Sequence, residues 1–88
     1  VKAVIRLIQW VFASPLRHQE RVDGYRRRIS DFCGGLTDIQ WEAVLYDCVA
    51  RSAYQGESLW YELGCYEEAA SIGGKETVLA RIQYGGER

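Results

Sequence analysis

Methionine is absent from this 88-residue chain, proline and histidine occur once each, and cysteine occurs three times. A sequence that opens on Val1 is expected of a trimmed or processed chain, which leaves room for a segment ahead of it. The cysteines, Cys33, Cys48 and Cys65, are odd in number, widely spaced and form no CxxC pair. A four-ligand zinc site would need all three plus His18, at intervals unlike those of compact fingers, so no metal or other cofactor is expected. Three small buried thiols in a reducing compartment fit better, and the chain is expected to be cytoplasmic. Long apolar runs are also missing. Residues 1–13 are apolar but too short to span a bilayer, and Lys2, Arg6 and Gln9 interrupt them. Nothing resembles a cleavable signal peptide, and stable membrane insertion is not expected. The glycine doublets Gly34-Gly35 and Gly73-Gly74 lack the GxxxxGK[ST] pattern of a phosphate loop. Lys75 and Thr77 after the second doublet read as a turn and cap.

What is present favours a folded domain. The chain is 48% hydrophobic and 12% aromatic, and its length suits one domain with a modest core, residues 85–88 forming a frayed, disordered tail. Three Trp and six Tyr are a heavy load for that core, and such side chains suit interfaces because each joins apolar area to a polar handle. The net charge of -1 conceals an asymmetry. Residues 1–30 carry seven basic and two acidic side chains, about +5, and the remainder carries four basic and ten acidic ones, about -6. The halves either attract each other or offer faces of opposite sign to partners.

Taken in order, residues 1–13 put Lys2, Arg6, Gln9 and Ala13 on one stripe at helical spacing, with apolar residues elsewhere, although the β-branched residues keep a strand open. Ser14-Pro15 is a boundary, since proline is tolerated at the first helical position. A helix over about 15–33 gathers His18, Val22, Tyr25, Ile29, Phe32 and Cys33 on one face, with Arg17, Arg21 and Arg28 aligned beside it. Gly34-Gly35 supplies its stop. The next helix, at about 38–54, opens with a capping-box pattern at Thr37 and Gln40 and is apolar on most sides. Its compact polar arc is Gln40, Asp47 and Arg51, read as exposed, with Asp47 and Arg51 an i,i+4 pair. Glu42 falls among apolar neighbours and calls for a partner or an edge position. Ser58 caps a segment whose Leu59, Leu63, Tyr66 and Ala70 share a face, and Gly73-Gly74 breaks it. The last element, with Val78, Leu79 and Ile82, reads as a helix or a short strand. The expected fold is mainly α, a small bundle of four to five short helices around the helix at about 38–54, with the last element a possible strand.

Chemistry-bearing groups are few. A hydrolase would draw on His18 with one of Cys33, Cys48 and Cys65, or on paired carboxylates among Glu62, Glu67 and Glu68, and no spacing marks these out. Nucleic-acid binding would use the arginine-rich second helix, but the next helix would turn Asp38 and Glu42 toward phosphates. The reading that uses most of the sequence is a non-catalytic protein–protein interaction module: an adaptor, inhibitor or regulatory subunit. Its expected partner-binding residues are Arg17, Arg21, Arg28, Trp60, Tyr61, Glu62, Glu67 and Glu68, and residues 1–13 are expected to support a homodimer.

Overall fold

A computed structural model describes residues 16–84. They form three α-helices: α1 (Leu16–Cys33), α2 (Asp38–Gln55) and α3 (Leu59–Arg81). This corrects the expectation of four to five helices with an optional strand. No strand occurs among the described residues, and the segment around Val78 is helical and belongs to α3. The helix or strand expected over residues 1–13, and the homodimer contact assigned to it, lie outside the described residues, as does the tail at 85–88.

Local chemistry sets the ends of the elements. α1 stops where Gly34 and Gly35 take positive φ of 74° and 112°, and the Gly35 N–H closes the turn on the Ser30 carbonyl at 2.8 Å. α2 starts with the capping box. The Gln40 N–H donates to Thr37 Oγ1 and the Thr37 N–H donates to Gln40 Oε1, both at 3.0 Å. Gly56 ends α2 in the left-handed conformation, and Ser58 caps α3 by accepting from the Tyr61 N–H.

α1 and α3 run in the same direction: Arg21 lies against Trp60, Arg28 against Glu67, and the Phe32 carbonyl near Gly74. α2 runs the opposite way between its two short connections. The second correction concerns the centre. α3 packs along both α1 and α2, whereas α1 and α2 hardly meet, so α3 organises the bundle rather than the helix at about 38–54. The core joins Val22 and Ile29 of α1, Trp41, Val44, Leu45, Cys48 and Val49 of α2, and Leu59, Leu63, Tyr66, Ala70 and Val78 of α3. The apolar circumference of α2 is what points to a central position. Part of that circumference is surface: Ile39 is 79% exposed, and Tyr46 and Glu42 on the same edge are exposed too.

α3 is not straight. Its residue Gly74 sits at φ 69°, ψ -156°, a backbone region essentially closed to other amino acids. A straight helix would separate residues 62 and 81 by about 28 Å at 1.5 Å per residue. Instead Arg81 Nη2 lies 3.6 Å from Glu62 Oε1, and Arg51 Nη2 donates to the Arg81 carbonyl at 2.8 Å. The chain therefore reverses at Gly74, and residues 75–84 return along the bundle as an arm that covers one side of α2. Val78, fully buried, anchors the arm in the core.

The returning arm covers Asp47 and Arg51 of the polar arc of α2. Asp47, expected on an exposed arc, is 0% exposed, and Arg51 is largely covered. Asp47 Oδ2 accepts from Tyr66 Oη at 2.5 Å and from Arg51 Nε at 2.7 Å, and its Oδ1 accepts from the N–H groups of Gln83 and Tyr84 at 2.9 Å each. One carboxylate thus ties the two limbs of α3 to α2. The arc is polar because it meets backbone donors of the arm, with no need of water.

Candidate functional site

The expected partner-binding residues fall into three situations. Arg21, Arg28, Trp60 and Glu67 come together where α1 and α3 lie side by side. The Arg21 guanidinium carbon sits 4.1 Å from the centroid of the Trp60 ring, close enough for a cation–π contact. Trp60 stacks on Tyr25 with centroids 6.3 Å apart and planes 17° from parallel, and meets the His18 ring edge-on at 6.1 Å. Arg28 continues the series, 4.8 Å from the Tyr25 centroid, and its Nε donates to Glu67 Oε1 at 3.1 Å. The result is a ladder of cation, ring, ring, cation and carboxylate. It follows from spacing. Residues 21, 25 and 28 are one turn apart on α1, and residues 60 and 67 are two turns apart on α3, so each helix presents its members along one flank.

Arg17, Tyr61 and Glu68 are exposed along the same two helices. Tyr61 retains 56% of its surface, and the neighbouring Cys65 thiol is the main influence that holds its phenol above the usual tyrosine range. Glu62 stands apart. It is buried and faces Arg81 on the inner side of α3, so it offers nothing to the surface.

Tyr25 and His18 belong to this cluster although sequence reasoning places them only on the apolar face of α1. The available signal is the position of Tyr25, four residues after Arg21 and three before Arg28. The other α1 arginines turn elsewhere: Arg26 pairs with Asp38 at 2.6 Å, and with Arg27, Asp23, Ser30 and Asp31 it lines a shallow depression on the opposite flank. Two of the five arginines thus pair with carboxylates of the acidic half and a third lies over an indole. The charge asymmetry of the sequence is met in part within the fold.

His18 and Cys33 stand at opposite ends of α1, about 22 Å apart by helical rise. Cys48 is walled into the core, where burial first and then the nearby carboxylates of Asp47 and Glu62 push its thiol well above the ordinary range. Burial also raises Cys33, against the opposing influence of Lys75. Among the described residues, no three His, Cys, Asp or Glu side chains gather as a metal-binding group. No helix among them is long and apolar enough to cross a membrane.

The Asp47 cluster has the most perturbed groups, yet its valences are filled. Burial pushes the Asp47 carboxyl upward, but the hydrogen bonds from Tyr66, Arg51, Tyr84 and Gln83 outweigh it and hold the carboxyl below the usual aspartate range. Burial and the same carboxylate raise the Tyr66 phenol far out of its normal range, so it stays a donor. Arg51 is raised too: burial works against its charge, and the bond to Asp47 prevails. A carboxylate accepting four hydrogen bonds behind a covering arm is a structural fastening, with no open position for a reactant.

Comparison of the chain with protein-family models, curated proteins and solved structures gives no match in any of the three.

Proposed function

We propose that this small helical domain is a non-catalytic protein–protein interaction module, an adaptor, inhibitor or regulatory subunit, that binds its partner through the outer flank shared by α1 and α3. The observation that carries this reading is the ladder Arg21–Trp60–Tyr25–Arg28–Glu67. It holds arginine and aromatic side chains, the types that dominate interface energetics, in fixed positions on two rigid helices. Arg17, Tyr61 and Glu68 extend that flank into solvent. Its mixed charge suits a protein partner better than a polyanion, because Glu67 and Glu68 share the flank and Arg28 is already paired. Self-association through residues 1–13 is part of the proposal on the strength of their apolar sequence pattern.

The test is capture from the native host's extract by the wild-type domain and by the Arg21→Glu and Tyr61→Ala variants, with helical content checked by circular dichroism. The proposal expects a defined partner retained by the wild type and lost by both variants, and expects His18→Ala to leave capture unchanged. Equal capture by all proteins overturns it. Salt-sensitive binding of nucleic acid that is lost on charge reversal at Arg17, Arg21 and Arg28 would favour the polyanion instead.

A further inference from the structure

We propose that the arm formed by residues 75–84 exchanges between two copies of this chain, with Gly73-Gly74 as the hinge, giving a dimer in which each arm closes on the other protomer's α2. This is a second, independent route to self-association and does not depend on the α1–α3 flank.

Three observations support it. First, the closed arm demands glycine at both hinge positions, and for different reasons. Gly74 needs φ 69° with ψ -156°. At Gly73 a Cβ would collide with the Thr77 side chain, approaching its Oγ1 most closely and its Cβ to 2.7 Å. Neither demand survives if the hinge opens into a continuous helix. There residues 73 and 77 are ordinary i,i+4 neighbours, and any helix-forming residue fits. Second, both limbs of α3 are already helical, so opening requires only the hinge dihedrals to change. Third, what seats the arm is specific and transferable. Val78 enters the core, Arg81 faces Glu62, and Asp47 accepts from the N–H groups of Gln83 and Tyr84. A second copy offers the same receptor, so exchange preserves every contact and changes only the hinge and the number of chains.

The test alters the hinge and reads both association and who holds the arm. Gly73→Ala and Gly74→Ala each penalise the closed hinge and favour the continuous helix. Each is expected to strengthen dimerisation by about tenfold or more per hinge, with two hinges in every dimer. Native mass spectrometry over a concentration series measures this. An isotope-filtered NOE experiment on a mixture of labelled and unlabelled Gly73→Ala protein assigns the Tyr54–Tyr84 ring contact, 5.8 Å between centroids in the closed fold, to one chain or to two. Exchange predicts a dimer with that contact between chains. Adding Thr77→Gly to Gly73→Ala removes the side chain that the introduced methyl group would meet. The double variant should regain the Tyr54–Tyr84 contact within each chain and serves as the folding control. A monomeric Gly73→Ala protein overturns the proposal, whether its arm is seated or detached. So does a dimer in which the Tyr54–Tyr84 contact stays within each chain.

Discussion

Replacing Asp47 by alanine should cost far more than its place in the sequence suggests. An exposed i,i+4 pair of Asp47 and Arg51 would be worth only a few tenths of a kcal/mol, and its loss would scarcely register. In the fold Asp47 is 0% exposed and accepts from Tyr66, Arg51, Gln83 and Tyr84. Asp47→Ala leaves a largely covered guanidinium, a buried phenol and two arm N–H groups without their acceptor. Breaking a buried pair on one side typically costs about 3–5 kcal/mol. A domain of this size has only about 5–15 kcal/mol in all, so roughly a fifth or more of its stability is at stake. Urea denaturation followed by circular dichroism reads the change as a lowered midpoint, on the premise that the slope is unchanged. Amide exchange adds a local readout. Gln83 and Tyr84 N–H groups should be protected in the wild type and exchange freely in the variant. A loss below about 1 kcal/mol with those amides unaffected would mean that Asp47 does not fasten the arm and that α2 carries an open polar arc after all.

Further outcomes follow from the same contacts. Because folding depresses the Asp47 carboxyl, its contribution is fully present above the unfolded value of about 3.9 and is lost as pH falls through the folded value. Because folding raises the Cys48 thiol and the Tyr66 phenol, their contributions are present below the unfolded values, about 8.5 and about 10, and are lost as pH rises beyond them. Stability measured against pH should therefore show a plateau from about 4 to about 8.5. Asp47→Asn should flatten the acid limb, and an unchanged acid limb would count against the fastening. Leu63→Ala, at a side chain with no exposed surface, should cost about 2–5 kcal/mol by urea midpoint. A cost well below that would mean α3 is not the spine of the bundle.

How much of this is legible in the sequence depends on the range of the contacts. Local devices can be read directly. The Thr37–Gln40 capping box, the Ser58 cap, the Gly34-Gly35 stop and the break at Gly73-Gly74 each rest on residues within five positions of one another. The shared face of Leu59, Leu63, Tyr66 and Ala70 can also be read, and all four are buried. What cannot be read is what lies against a given face. Periodicity identifies the arc of Gln40, Asp47 and Arg51 as polar, but the partners that bury Asp47 are 19, 36 and 37 residues away. Glu62 reads as part of the acidic surface for the same reason, since Arg81 meets it only through the reversal at Gly74. The sequence misplaces the centre of the bundle because α2 is apolar on most sides, and composition cannot distinguish a stripe facing a neighbour from one left at the surface, such as Ile39 and Tyr46. Of the candidate site, residue types and the Arg17, Arg21 and Arg28 alignment are readable. The stacking of Trp60 between Arg21 and Tyr25 is not, because it requires α1 and α3 to lie side by side in parallel.

We propose that the flank shared by α1 and α3 receives a protein partner. The most direct measurement of this is amide hydrogen exchange of the domain alone and in complex with the partner that it captures. Partner binding at this flank should slow exchange over residues 17–28 and 60–68 and leave the exposed edge of α2 at residues 39–46 little changed. Protection confined to that edge, with residues 17–28 and 60–68 unaltered, would contradict it.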